Sequence, residues 1–164
     1  MQAFAEWLRD TAPSLTLQTT NWMLPVIQSI HILAVGVVLA SALLVTLRLV
    51  GLAAASQPVD AVVRRHAPWL WGSLIALGTT GLLMIVAEPV RELMSPVFWS
   101  KMALLVLGIA MTVYFLRHAG RQLVSGSVAV PSSVRTAALG TVALWCVIIF
   151  LGRWIAYGPS LAVY

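Results

Sequence analysis

Met23-Leu-Pro-Val-Ile-Gln-Ser-Ile-His31-Ile-Leu-Ala-Val-Gly-Val-Val-Leu-Ala-Ser-Ala-Leu-Leu-Val-Thr-Leu47 is an uncharged, mostly apolar run. It is long enough to cross a bilayer, which takes about 20 residues at about 1.5 Å rise each. His31 lies well inside it. An ionisable side chain at that depth is costly unless it faces a partner, a cavity or a cofactor, so His31 is the first functional candidate.

The rest of the chain has the same character. Hydrophobic residues make up 60% of it and charged residues 9%, with a mean hydropathy of +0.95. These values place it among integral membrane proteins. Its 164 residues have room for four spans and short connections, so residues 1–164 read as one membrane domain. The single cysteine, Cys146, excludes an internal disulfide and a multi-cysteine metal site, and reads as a small buried hydrophobe.

The expected architecture is all-α: a four-helix transmembrane bundle with a short N-terminal amphipathic helix. The spans are predicted at about 23–54, 68–88, 97–118 and 134–157. Asn21 is a good N-cap for the first, with Pro25 in its first turn. That span runs past Arg48 to about residue 54, so it is tilted or projects beyond the bilayer. Pro68 opens the second, and Glu88-Pro89 closes it, because proline disfavours helix at the preceding residue. Gly120 stops the third, and Ser132 or Ser133 caps the fourth. Residues 1–20 lack the pattern of a signal peptide. They read as an interfacial helix with Phe4, Trp7 and Leu8 turned to lipid. Trp22, Trp69, Trp71, Trp99, Trp154 and Tyr157 fall near span ends, as an aromatic belt does.

Arg48, Arg64, Arg65, Arg117, Arg121 and Arg135 flank the connections between spans one and two and between three and four. The other side carries Arg9, Arg91, Lys101 and Arg153. The positive-inside rule then puts both termini outside a bacterial cytoplasmic (inner) membrane.

With that orientation the polar residues form two layers. The outer one holds His31, Glu88, Lys101 and Arg153, one from each span. The inner one holds Arg48, His66 at or before the start of span two, and His118 at the end of span three. Each has a plainer reading: an interhelical hydrogen bond for His31, snorkelling for Lys101 and Arg153, a solvated helix end for Glu88, and interfacial histidines for His66 and His118. Gly72, Ala76 and Thr80, with Gly78, Thr79 and Gly81 beside them, read as close helix packing, or as a smooth wall for a flat ring.

Phosphate loops, nucleophile elbows and His-Glu-x-x-His are absent from the sequence. The +5 net charge follows from topology rather than nucleic-acid binding. Histidines on separate helices of a membrane bundle are compatible with b-type haem, with a cation pairing the propionates. Copper at His31 with Met102 or Met84, or a proton path, is the weaker alternative.

One group of motifs runs almost the whole length of the chain. It comprises Trp22 with Pro25, Gln28-Ser-Ile-His31-Ile-Leu, Leu47-Arg48-Leu49 with Gly51, His66-Ala-Pro-Trp69-Leu-Trp-Gly72, Thr80-Gly81, Phe98-Trp-Ser-Lys101 and Gly152-Arg153-Trp154-Ile-Ala-Tyr157. With these motifs the sequence resembles a family of small bacterial four-helix membrane proteins of unknown function. It departs from that pattern at Thr46, where an acidic residue is expected before Leu47-Arg48. In layout alone it is similar to the bacterial membrane protoporphyrinogen oxidase and the copper-resistance D family. The former likeness implies haem b, with His31 and Lys101 matching its histidine and lysine by order and depth.

The expectation is therefore a haem-b membrane protein with a redox or electron-transfer role, exchanging electrons with a quinone or another redox partner. His31 is the leading iron ligand, Lys101 and Arg153 supply positive charge, and His66 with His118 form a candidate second pair. The alternative is a non-enzymatic membrane subunit or transport-related protein whose His31, Glu88, Lys101 and Arg153 form a structural polar network. Enzymatic activity and homo-oligomerisation stay open.

Overall fold

The computed structural model describes residues 1–53, 56–124 and 131–157, and within these not the side chains of 115, 118–124 and 154–157. The described residues form helices α1 (Gln2–Arg9), α2 (Ala12–Thr19), α3 (Met23–Leu49), α4 (Val59–Ala87), α5 (Pro89–Leu93), α6 (Pro96–Val124) and α7 (Ser132–Tyr157). Helices α3, α4, α6 and α7 are long and apolar enough to cross a membrane. The fold is the expected all-α membrane bundle.

Several helix ends differ from the sequence expectation, each for a local reason. α3 stops at Leu49 rather than near residue 54, because Gly51 takes φ +83°. Leu52 N–H then donates to Leu47 O at 2.9 Å and Gly51 N–H to Arg48 O at 3.2 Å, the pair of bonds that ends a helix in a left-handed glycine turn. Trp22, not Asn21, takes the N-cap position of α3. α4 begins at Val59, so Pro68 is internal and His66 lies well within the helix instead of at its edge. Burial outweighs the proline: Val59 and Val62 pack with Val45, Leu49, Val134 and Ala138. α6 passes through Gly120 to Val124. α7 starts at Ser132, with Pro131 O accepting from Val134 and Arg135, so neither serine is the cap. The N-terminal segment is two helices, broken at Asp10-Thr11, with Pro13 opening the second.

Packing arranges the four spans in the ring order α3–α4–α6–α7. The α3–α4 and α6–α7 seams are extensive and α3 also packs on α7, whereas α4 meets α6 only sparsely. Three apolar layers fill the bundle. At the end carrying the α3–α4 connection lie Val45, Leu49, Val59, Val62, Val134 and Ala138. Val38, Ala42, Leu70, Trp145 and Ile148 form the middle. At the other end α2 closes the bundle with Leu17 against Ile27 and Ala87.

Most buried hydroxyls bond within their own helices, as lipid demands. Ser73 donates to Trp69 O, Thr112 to Gly108 O and Thr141 to Ala137 O at 2.6–2.7 Å. Gly72 and Gly78 of α4 do not themselves mark a close approach, whereas Gly108 of α6 does, against α7. A Cβ on Gly72 or Gly78 would meet nothing within 4 Å, while one on Gly108 would touch Ile148 at 3.4 Å and Leu144 at 3.6 Å. Cys146 is exposed on the outside of α7 rather than buried. Phe4 and Trp7 are exposed, 55% and 63%, on the face of α1 expected to meet lipid.

Candidate functional site

Between the middle layer and the α2-capped layer, apolar packing gives way to a polar level. On α3 it falls between Ile27 and Val38, and on α4 between Leu77 and Ala87. His31 occupies it from α3, half-buried. Its Nδ1 is 2.8 Å from Thr80 Oγ1 on α4, and the ring lies against Gly81, whose Cβ would stand 3.8 Å from His31 Cε1. Thr80 Oγ1 is also 2.7 Å from Ala76 O.

A hydroxyl has a single proton, and a carbonyl can only accept. With Thr80 donating to Ala76 O, His31 Nδ1–H donates to Thr80 Oγ1 and Nε2 is left with its lone pair; with Thr80 donating to Nδ1, Nε2 carries the proton instead. The Nε2 atom has no hydrogen-bond partner among the described residues. Fixing one ring nitrogen by a hydrogen bond so that the other presents a lone pair is how proteins orient metal-binding histidines.

Lys101 enters the same level from α6, close enough for its charge to act on the His31 ring. Its ammonium sits on the backbone of α7: a Cβ on Gly152 would meet Lys101 Nζ at 3.4 Å and Cε at 3.6 Å. Among the described residues the Nζ atom has no hydrogen-bond partner. Glu92 on α5, at the α2-capped end, is close enough for its charge to act on Lys101. That carboxylate is buried, 7% exposed, and its direct ion pair is with Arg91 at 3.3 Å. Glu88 also pairs with Arg91. A buried carboxylate needs such partners to offset lost hydration.

The sequence-predicted residues thus fall into separate groups. His31 and Lys101 share one level, with Glu88 tied to α5 beside it. Arg153 follows Gly152 on α7, exposed, and has a contact of its own. His66 lies 14 positions before Thr80 on α4, about 21 Å along the axis, and cannot share a metal with His31. Its Nδ1 is 2.9 Å from Val62 O, a carbonyl that can only accept, so Nδ1 carries the proton there. His118 is in α6, with its side chain outside the described residues. Arg48, on the same end as His66, donates from Nε to Gln57 O at 2.6 Å. Met84 packs in the apolar layer with Leu17 and Ile27. Among the described residues no cluster of three or more His, Cys, Asp or Glu could hold a metal ion.

Three participants were not singled out from sequence. Thr80 was placed in a small-residue stripe, although a hydroxyl one helix away is the natural partner of an intramembrane histidine. Glu92 carries no site reading in the sequence, and nothing there marks Gly152 as the seat of Lys101.

A flat cofactor needs room as well as donors. Gly78 and Gly81 lie seven and fourteen positions after Trp71 and Ala67, and so share their flank of α4. Trp71 and Ala67 face α6 across a cavity; on the same flank, a Cβ on Gly78 would meet nothing within 4 Å and one on Gly81 would stand 3.8 Å from His31 Cε1. An imidazole Nε2 and an ammonium, neither with a hydrogen-bond partner among the described residues, thus stand at one level of the bundle.

Residues 18–158 match a family described as a family of unknown function, DUF6644. No curated protein and no solved structure matches the chain.

Proposed function

We propose, for a chain that belongs to the family of unknown function DUF6644, that the His31–Lys101 level of the bundle holds b-type haem for electron transfer within the membrane. The observation that carries this reading is the His31–Thr80 bond: it engages Nδ1 and leaves Nε2 as the nitrogen for iron. Lys101 would pair with a propionate, with Arg153 as a further cation, and Gly78 and Gly81 would leave space for the ring. Bound haem would supply a one-electron couple, tuned by its ligands and by the polarity around it. The protein's part is to hold the imidazole orientation, to place positive charge beside the carboxylates, and to exclude water with the apolar layers on either side. His66 belongs to a different level, and with His118 would be a separate site. The electron partner would be a quinone or another membrane redox protein. The basic ends of the spans support a bacterial inner-membrane location with both termini outside.

An optical spectrum tests it. Protein purified in mild detergent after haem supplementation should show a Soret band that is lost in His31→Ala and retained in His66→Ala. No band, or a band unchanged in His31→Ala, overturns the proposal.

The His31–Thr80 bond also favours a second reading, a structural polar network in a non-enzymatic membrane subunit or transport-related protein. Interhelical hydrogen bonds of this kind average about 0.6 kcal/mol. That reading expects His31→Ala to loosen the bundle with no cofactor ever bound.

A further inference from the structure

A second opening lies in the α4–α6 seam, toward the end that carries the arginines. It is a cavity of about 300 Å³, lined by Ala67 and Trp71 of α4 and Val113, Leu116 and Arg117 of α6; a larger opening of about 380 Å³ lies at the α2-capped end. Its walls are apolar except for Arg117. Along α6, Arg117 is the first charged residue after Lys101, 16 positions on and therefore about 24 Å away. Lys101 and Arg117 thus stand toward opposite edges of a bilayer core about 30 Å thick.

Among the described residues nothing compensates the charge at this cavity. No acidic residue occurs anywhere in α6, and the one acid of α4, Asp60, is paired with Arg64. Arg117 has no ion-pair partner among the described residues. An occupant complementary to this site carries an anionic head for the guanidinium and an apolar body for Trp71, Val113 and Leu116. It also reaches the site sideways from the bilayer, since the seam is the most weakly packed of the four. Basic pockets between spans are suited to anionic lipid headgroups, and a guanidinium binds phosphate through paired N–H donors.

We propose that the α4–α6 cavity is a binding site for an anionic phospholipid, its phosphate on Arg117 and the upper part of an acyl chain against Trp71 and Leu116. The site is independent of any cofactor at His31.

The test uses the full chain, delipidated in a neutral detergent, with thermal unfolding and native mass spectrometry as readouts. Dioleoyl phosphatidylglycerol should raise the melting temperature and stay bound where dioleoyl phosphatidylcholine does not. Arg117→Gln should weaken phosphatidylglycerol binding about fivefold, while Arg135→Gln, off the cavity, should leave it unchanged. Ala67→Phe should block binding by filling the cavity, with helix content preserved by circular dichroism. Equal effects of the two lipids, or equal losses in Arg117→Gln and Arg135→Gln, overturn the proposal. So does a matching shift with inorganic phosphate alone, which would make the ligand a free anion, or one with a neutral quinone that persists in Arg117→Gln.

Discussion

His31 Nδ1 and Thr80 Oγ1, 49 positions apart in sequence, stand 2.8 Å from each other and join α3 to α4. This contact does more than tie helices together: it occupies Nδ1 and leaves Nε2 open among the described residues.

Replacing Thr80 with valine keeps the side-chain volume and removes the acceptor. In the haem reading Thr80→Val should lower haem affinity by about 10–100-fold, the usual effect of losing a partner that orients a ligand, without abolishing the His31-dependent band. Titration of apoprotein with haem measures it. A Thr80→Ser variant, which restores the hydroxyl, should recover most of the affinity.

Lys101 tests the second half of the level. Lys101→Met removes the charge at similar length, and should weaken binding of haem relative to its propionate dimethyl ester, because only the free acid uses the ammonium. Gly152→Ala should be near neutral on both porphyrins, since its Cβ would make only ordinary contact with Lys101 Nζ at 3.4 Å. Comparing the two porphyrins on each variant separates charge from general disruption.

The spans were legible in sequence because hydropathy reports burial in lipid directly. His31 stood out because it breaks that pattern. Helix ends were less legible where tertiary packing competes with local signals. Pro68 carries a strong local penalty, yet Val59 and Val62 find partners on α3 and α7 and pull the helix start nine residues back. Gly51 ends α3 early although Ala53 beyond it is a good helix former. The site was half legible: ionisable residues announce their own depth, but the partners that give them meaning, Thr80, Gly152 and Glu92, depend on which helix faces meet. Composition does not encode those pairings.

Gly108 should set how closely α6 and α7 approach. Its Cβ position is 3.4 Å from Ile148 Cδ1 and 3.8 Å from Trp145, so Gly108→Ala makes only ordinary contact and should be near neutral. Gly108→Leu should overpack the seam and destabilise the bundle by about 1–3 kcal/mol. Unfolding in a mixed-micelle denaturant series would read the difference.

Ser14 ties α2 to the end of the bundle. It is fully buried, 0% exposed, and donates to Val86 O at 2.6 Å while accepting from Gln18 Nε2 at 2.8 Å. Val86 lies in the last turn of α4, where carbonyls run out of helical donors. Ser14→Ala therefore leaves a buried carbonyl without this partner, at a cost of about 1–3 kcal/mol. The cost falls on docking of α2 rather than on the spans, because Leu17 is the only buried apolar residue α2 contributes to the layer it covers. The expected outcome is faster amide exchange across α2 and the last turn of α4, with the middle layer around Trp145 unchanged. Uniform exchange across all four spans would mean instead that Ser14 supports the bundle as a whole.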